Sequence, residues 1–173
     1  MRVKWAKWTP SPNFSAREGA NVECVVIHHI SLPPGKFGGG FVCDFFLNNL
    51  QPDAHPFFEK IKDLKVSAHF FITRRGKAYQ FVDTDCAAWH AGKSEWLGRA
   101  EVNKFSVGVE LEGDMSSGYT ESQYKTLGKL FKELKKAHPA INSSSLTGHE
   151  HISPGRKTDP GPLFDWERAR KLL

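Results

Sequence analysis

The sequence predicts one α/β domain, residues 1–173, built around a mixed sheet. Strand-like and helix-like segments alternate along the chain, which is typical of a layered α/β domain. A length of 173 residues suits one domain and is enough to bury a proper core. Hydrophobic residues make up 39% and charged residues 25%, as in ordinary globular proteins, and no repeat or low-complexity linker divides the chain.

Four segments are predicted to be strands. The first is the apolar run from Glu23 to His28, which ends in two histidines. The next two, 68–73 and 77–82, are joined by Arg-Arg-Gly and form a predicted hairpin. The fourth, 106–112, alternates with period two, so its odd positions share one face and its even positions share the other. The odd face carries Val107, Val109 and Leu111, and the even face carries Gly108, Glu110 and Glu112.

The clearest predicted helix runs from Glu121 to Ala137. Thr120 and Gln123 form the pattern of a capping box before it, and His138 followed by proline ends it. Its apolar residues recur at helical spacing: Tyr124, Leu127, Leu130, Phe131 and Leu134. Shorter helices are predicted at 41–50 and 55–61, and a last one begins at Asp165 and carries Trp166, Ala169, Leu172 and Leu173. A Pro- and Gly-rich loop follows the first strand.

The net charge of +5 does not by itself indicate a nucleic-acid partner. The lysines and arginines are spread along the chain, and the densest group, 129–136, alternates with apolar residues as on the solvated face of a helix. We therefore expect no nucleic-acid partner. A basic surface favours small acidic ligands by electrostatic steering.

The chain also lacks the patterns of a membrane or disulfide-linked protein. No run of about 18 apolar residues could span a membrane, and the N-terminal decapeptide has no apolar core of signal-peptide length. The three cysteines, Cys24, Cys43 and Cys86, are far apart and fit no C-x-x-C pattern. We expect reduced, mostly buried thiols in a cytoplasmic protein that has no membrane partner.

Three residues could form a metal site. His28 ends a strand and faces a loop, His149 precedes a segment rich in Pro and Gly, and Asp159 lies in a constrained turn within that segment. Two histidines and a carboxylate are a standard ligand set for catalytic zinc. The residues are too far apart in sequence to form a local motif, so surface histidines without a ligand role remain an alternative.

Two charged residues also have alternative interpretations. Glu110 in the middle of an apolar strand would cost several kcal/mol if it were buried unpaired, so it either lines a cleft or lies on a solvent-exposed face together with Glu112. Lys157 precedes Asp159 by two residues and could stabilise an oxyanion near a metal, or it could be an ordinary surface lysine.

These residues lie within segments that resemble the zinc-dependent N-acetylmuramoyl-L-alanine amidases of the amidase-2 superfamily, which also contains peptidoglycan recognition proteins. The likeness is strongest to the cytoplasmic members that act on anhydro-muropeptides during cell-wall recycling. The matching segments follow one another along almost the whole chain: Val25–His28, Ile30–Gly35, Asp53–Pro56, Val66–His69, Ala88–Gly92, Gly108–Gly113, Thr147–His149 and Arg156–Pro162.

The resemblance implies a function and a set of roles. It implies hydrolysis of the bond between (anhydro-)N-acetylmuramic acid and L-alanine by a zinc enzyme, on a central mixed sheet flanked by helices. By position, His28, His149 and Asp159 match the zinc ligands, Glu110 the catalytic acid/base and Lys157 the lysine beside the metal. A non-catalytic peptidoglycan-binding module is the alternative, but the retention of these five residues argues against it. We expect a monomer.

Substrate contacts are expected at five further positions: His29, Lys65, His69, Trp89 and Arg156. His29 stands where similar sequences carry asparagine. Ala68 stands where lysozyme-type amidases carry tyrosine, so the acid/base role falls on Glu110. Trp89 is expected to form a wall on the sugar side, and Lys65 and Arg156 to bind peptide carboxylates; packing or solvated charge is the alternative for each.

Overall fold

The computed structural model describes all 173 residues and places ten strands and five helices along the chain. The strands are β1 Lys7–Trp8, β2 Phe14–Ala16, β3 Cys24–Ile30, β4 Phe70–Ile72, β5 Ala78–Gln80, β6 Cys86–Ala88, β7 Glu95–Trp96, β8 Arg99–Ala100, β9 Ser106–Glu112 and β10 Leu146–Gly148. The helices are α1 Phe41–Phe46, α2 Pro56–Glu59, α3 Glu121–Ala137, α4 His149–Ile152 and α5 Trp166–Leu172. The predicted last helix is present and begins at Trp166, one residue after the predicted start, because the Asp165 side chain caps it.

The central sheet has six strands in the order β1-β5-β4-β9-β3-β10. Strands β4, β9, β3 and β10 run parallel to one another, β4 and β5 form an antiparallel hairpin, and β1 is parallel to β5. The predicted hairpin and the predicted mixed sheet are therefore both confirmed. Two small ribbons, β2–β6 and β7–β8, complete the β structure.

One face of the sheet packs against α3 and α5. The odd positions of β9 lie in this core together with apolar residues of α3, such as Leu127 and Phe131, both fully buried. The predicted bounds of α3 are confirmed, and both arms of its capping box are present at Thr120 and Gln123. Burial of the apolar stripe leaves the lysines of α3 in solvent, as expected for an amphipathic helix.

The opposite face of the sheet is covered by short elements. Phe46, Phe58 and Phe71 belong to a second apolar cluster between the sheet and helices α1 and α2. Both helices are shorter than predicted. Helix α1 stops at Phe46 because Asn48 adopts a left-handed backbone, with φ of 60°, and α2 is a single turn that begins at a proline.

The three cysteines are unpaired, as predicted. Cys24 is buried, whereas Cys43 and Cys86 are half-buried, so the prediction of mostly buried thiols is only partly correct. None of the helices has both the length and the apolar character that a membrane crossing would require.

Candidate active site

The carboxyl ends of three parallel strands carry the candidate site. In the register of β3 and β9, His28 lies directly opposite Glu110, so both side chains emerge on the same face of the sheet. Strand β10, on the other side of β3, leads directly into α4, whose first residue is His149. Parallel pairing thus brings Glu110 and His149, which follow His28 by about 80 and 120 positions, to the same edge of the sheet as His28. Open α/β sheets commonly bind ligands at this edge.

Asp159 reaches this edge on the segment that follows α4. The Asp159 carbonyl accepts a hydrogen bond of 2.8 Å from the backbone N–H of Glu150, and the next carbonyl, of Pro160, accepts one of 2.7 Å from the Tyr119 hydroxyl. Gly148 permits this close approach, since a Cβ atom there would lie 2.8 Å from the Pro160 ring. The backbone therefore fixes the position of the carboxylate.

Three ligand atoms converge at the strand ends. His28 Nδ1 lies 3.0 Å from both His149 Nδ1 and Asp159 Oδ2, and His149 Nδ1 lies 3.1 Å from Asp159 Oδ2. The three residues form a group whose ligand atoms lie within 4.8 Å of one another. The structure thus brings together the three residues that were proposed as metal ligands.

The surroundings keep His28 and Asp159 in the protonation states that a metal requires. Burial lowers the pKa of His28 to about 4, so its imidazole is neutral at pH 7. Burial alone would raise the pKa of Asp159, but the adjacent imidazoles of His149 and His28 outweigh that effect and hold the pKa well below the ordinary range. The Nε2 atom of His149 lies 3.1 Å from the Ala91 carbonyl oxygen and 3.3 Å from Arg156 Nη2. In the tautomer that donates from Nε2 to Ala91, Nδ1 carries a free lone pair.

This donor set fits zinc. Two imidazole nitrogens and one carboxylate oxygen match the three protein ligands of a catalytic zinc site with an open fourth position. The three atoms face one another at hydrogen-bond distance, yet His149 Nδ1 carries no proton when its Nε2 donates to Ala91. A cation bound between them would account for this convergence of lone pairs.

Glu110 is a half-buried residue whose carboxylate has a buried oxygen without a partner. Its Oε2 atom is buried and has no hydrogen-bond donor. Burial raises the pKa of Glu110 well above its ordinary value, and the nearby charge of Asp159 raises it further against the opposing effect of Lys157. A carboxyl group with a raised pKa beside a candidate metal site has the properties of a general acid/base.

Glu112 shares the face of Glu110 but has a structural role. Its two carboxylate oxygens accept hydrogen bonds from the backbone N–H groups of Gly38, at 2.6 Å, and Arg74, at 2.8 Å. The alternative that this face of β9 exposes both glutamates to solvent is therefore wrong, because Glu112 is only 4% exposed. Of the two carboxylates, only Glu110 is left free for chemistry.

The unpartnered carboxylate predicts that Glu110→Gln stabilises the metal-free protein at neutral pH. The pKa of Glu110 in the folded protein lies above the unfolded value of about 4.3, so the unfolded chain loses the Glu110 proton first as the pH rises. The stability of the wild type therefore falls as the pH rises from the unfolded pKa to the folded pKa. We expect the free energy of unfolding of Glu110→Gln to exceed that of the wild type by about 1–3 kcal/mol at pH 8, and this difference should shrink toward zero as the pH approaches about 4. Thermal unfolding with chelator present, between pH 5 and pH 8, measures it.

Glu112→Gln is the matched control, and its stability should change in the opposite direction. The change replaces one acceptor oxygen by an NH₂ group facing a backbone N–H, so this variant should be destabilised at pH 8. If Glu110→Gln were destabilised as much as Glu112→Gln at pH 8, Glu110 would be a satisfied structural carboxylate.

A cavity of about 620 Å³ opens beside these groups. Its polar side is lined by Glu110, His149 and Asp159, and by three of the other residues predicted from sequence: His29, Trp89 and Lys157. The Nε2 atom of His29 is buried without a partner and is therefore available to a ligand. The Trp89 side chain is 37% exposed, which is compatible with the predicted wall.

The opposite wall of the cavity is apolar and was not predicted. It is formed by residues of α1, α2 and the following turn: Phe45, Phe46, Phe57, Ile61 and Leu64. The sequence shows only apolar residues at helical spacing there, which is the pattern of ordinary core. Nothing in that pattern distinguishes side chains that cover a sheet from side chains that line a cleft.

Three predicted substrate contacts lie outside the cavity lining. His69 is fully buried: its Nδ1 accepts a hydrogen bond from the Gly108 N–H, and its Nε2 faces the Cys86 carbonyl, so the prediction of a substrate contact is wrong. Arg156 directs its Nη2 to the Ala91 and Lys93 carbonyls, at 2.7 and 2.8 Å, and holds that segment beside His149. Lys65 is exposed beside the lining residues Leu64 and Val66, and its contact stays a prediction.

Comparison with known proteins agrees with this geometry. Residues 18–162 match the family model of N-acetylmuramoyl-L-alanine amidase. The chain is 47% identical over 169 residues to the 1,6-anhydro-N-acetylmuramyl-L-alanine amidase AmpD of Salmonella typhimurium, covering 97% of this chain and 90% of that protein.

Two solved structures have the same fold. A crystal structure of a selenomethionine derivative of AmpD superposes with a TM-score of 0.96 at 45% identity, covering 99% of this chain and 96% of that one. The second structure is the amidase AmiD of Escherichia coli in complex with the substrate anhydro-N-acetylmuramic acid-L-Ala-D-gamma-Glu-L-Lys. It superposes with a TM-score of 0.64 at 25% identity, covering 92% of this chain and 65% of that one. From its sequence and its fold, the chain belongs to the N-acetylmuramoyl-L-alanine amidase family of hydrolases.

Proposed function

We propose that this protein is a zinc-dependent 1,6-anhydro-N-acetylmuramyl-L-alanine amidase of cytoplasmic peptidoglycan recycling, active as a monomer. The observation that carries the proposal is the convergence of His28, His149 and Asp159 beside the unpartnered carboxylate of Glu110. The name of the AmpD relatives, at 46–47% identity over nearly the whole chain, supports the anhydro-muropeptide as substrate.

His28, His149 and Asp159 would hold the zinc ion. When bound there, zinc supplies a Lewis acid that lowers the pKa of a water molecule toward about 7. Histidine binds a metal as neutral imidazole, and Asp159 is ionised, so the ligand set would carry a net charge of −1, which favours a divalent cation.

Glu110 would move the proton. Glu110 lines the cavity and its Oε2 atom has no partner, so its carboxylate would accept a proton from water as the oxygen attacks the lactyl amide carbonyl. The raised pKa of Glu110 keeps that proton available for the alanine nitrogen when the C–N bond breaks. Protonation of the departing amine is required because an unprotonated amide nitrogen is a poor leaving group.

Lys157 and the cavity walls would orient the substrate. The Lys157 ammonium lines the cavity beside Asp159 and would stabilise the developing oxyanion, where loss of one donor typically costs about 3 kcal/mol of transition-state stabilisation. Trp89 and the apolar wall would bind the sugar and the alanine methyl group, whereas the unpartnered Nε2 of His29 would bind a polar group of the substrate.

One paired assay tests the proposal. Metal in the purified protein is counted by mass spectrometry, and cleavage of an anhydro-muropeptide is followed by chromatography beside an intact peptidoglycan control. We expect about one zinc per chain and release of the free peptide from the soluble fragment. Zinc without cleavage of either substrate would instead indicate a binding module, and no zinc with no cleavage after zinc addition would refute the proposal.

A further inference from the structure

We propose that the segment His90–Ala91 is the support that orients both histidine ligands, with His90 as a positioning residue for His28. The inference rests on the proposed zinc site and extends it to residues that do not contact the metal. The His28 Nε2 atom lies 3.0 Å from His90 Nδ1, and the His149 Nε2 atom lies 3.1 Å from the Ala91 carbonyl oxygen. Two adjacent residues thus contact the two nitrogens that point away from the ligand cluster.

The directions of these hydrogen bonds follow from the ligand role. His28 can present a lone pair at Nδ1 only if its proton is on Nε2, and that N–H needs an acceptor in a buried site. His90 Nδ1 is the atom in position to accept it. His90 can accept at Nδ1 only if its own proton is on Nε2, which faces the Ser106 hydroxyl at 3.2 Å. The Ser106 hydroxyl can accept that proton, so the chain Ser106–His90–His28 is satisfied when His28 presents its lone pair at Nδ1.

The backbone places this segment accurately. The side-chain Oδ1 of Asn103 accepts hydrogen bonds from the N–H groups of His90, at 3.1 Å, and Ala91, at 2.8 Å. Arg156 Nη2 donates to the same Ala91 carbonyl at 2.7 Å. Both histidine supports thus depend on one short anchored segment.

Strand β9 leaves a slot for the His90 ring. Gly108 lies two residues before Glu110, and a Cβ atom there would lie 2.4 Å from the ring. The His28 and His90 rings meet edge to face, with centroids 5.1 Å apart. Any larger residue at position 108 would displace His90, and the ligand His28 with it.

The test compares two substitutions of His90 in the whole protein. His90→Phe keeps the ring but removes the acceptor, whereas His90→Asn keeps an acceptor oxygen on the same carbon that bears Nδ1. Zinc dissociation constants are measured by competition with a chromophoric chelator. We expect zinc binding to weaken by about 10- to 100-fold in His90→Phe and by clearly less in His90→Asn. His138→Phe is the matched control, because His138 contacts Thr84 and none of the three ligand residues. The His138→Phe protein should bind zinc as the wild type does.

A second readout follows the tautomer itself. Long-range ¹H–¹⁵N NMR of the imidazoles should show the proton of His28 on Nε2 in the wild type and in His90→Asn, and a mixture of tautomers in His90→Phe. Thermal unfolding identifies folded variants. Equal zinc affinity in folded His90→Phe and wild type, or a wild-type His28 with its proton on Nδ1, would overturn the inference.

Failure of the proposed function gives a different result. If the wild type binds no zinc, the metal site is wrong, and the tautomer of His28 then decides the inference alone. If the wild type binds zinc but does not cleave the anhydro-muropeptide, the dissociation constants still test the role of His90.

Discussion

Glu110→Ala should lower kcat/KM for the anhydro-muropeptide by about 10²–10⁴-fold while the protein still binds about one zinc per chain. The physical reason is that Glu110 provides the only proton acceptor proposed for the attacking water, whereas the three ligand atoms belong to other residues. Glu110→Gln should have the same effect, because an amide cannot accept the proton. The measurement is steady-state cleavage with the metal content determined on the same sample.

The control is a glutamate outside the site. Glu59 lies on the exposed surface of α2 and pairs with Lys62, so Glu59→Gln should retain wild-type activity. Normal turnover by Glu110→Ala would show that the base has been assigned wrongly. Loss of zinc together with activity would show that Glu110 acts on the metal site and not on the proton.

Removal of the metal should abolish activity completely, and zinc should restore it. The same treatment should lower the melting temperature, since a ligand at about 1,000 times its Kd stabilises the folded state by about 4 kcal/mol. For a chain of this length each kcal/mol corresponds to about 2–4 °C, so a difference of about 10 °C is expected. Chelation, dialysis and calorimetry with and without zinc measure both effects.

Two comparisons make this result specific. Magnesium should restore neither activity nor stability, because two of the three ligand atoms are imidazole nitrogens, which Mg²⁺ binds poorly. Asp159→Ala should lose the zinc-dependent rise in melting temperature. Full activity after complete removal of the metal would exclude the proposed mechanism.

Much of the scaffold could be predicted from local sequence. The period-two alternation of β9 and the apolar stripe of α3 each specify an element and its buried face, and the capping box of α3 fixes its first residue. These are short-range properties, so a single segment contains them. Helices α1 and α2 were predicted too long because one left-handed residue, Asn48, and packing over the sheet ended them early.

The candidate metal ligands could be suggested but not assembled from sequence. Residue types and the family resemblance pointed to His28, His149 and Asp159, but spacing alone could not separate them from surface histidines. Their convergence depends on the pairing of β3 with β9 and β10, and on the segment that returns Asp159 to the same edge. These are contacts between residues far apart in the chain.

Sequence by itself therefore determined the α/β class, the main strand and helix, and the set of residues with metal chemistry. The family resemblance named Glu110, but only the tertiary structure shows why Glu110 and Glu112 differ although they share a face: Glu112 accepts hydrogen bonds from two backbone N–H groups, and Glu110 Oε2 has no donor. It also placed His69 in the core and His90 behind a ligand. The reason is physical: whether a buried polar group is reactive or satisfied depends on which donors and acceptors other segments bring to it.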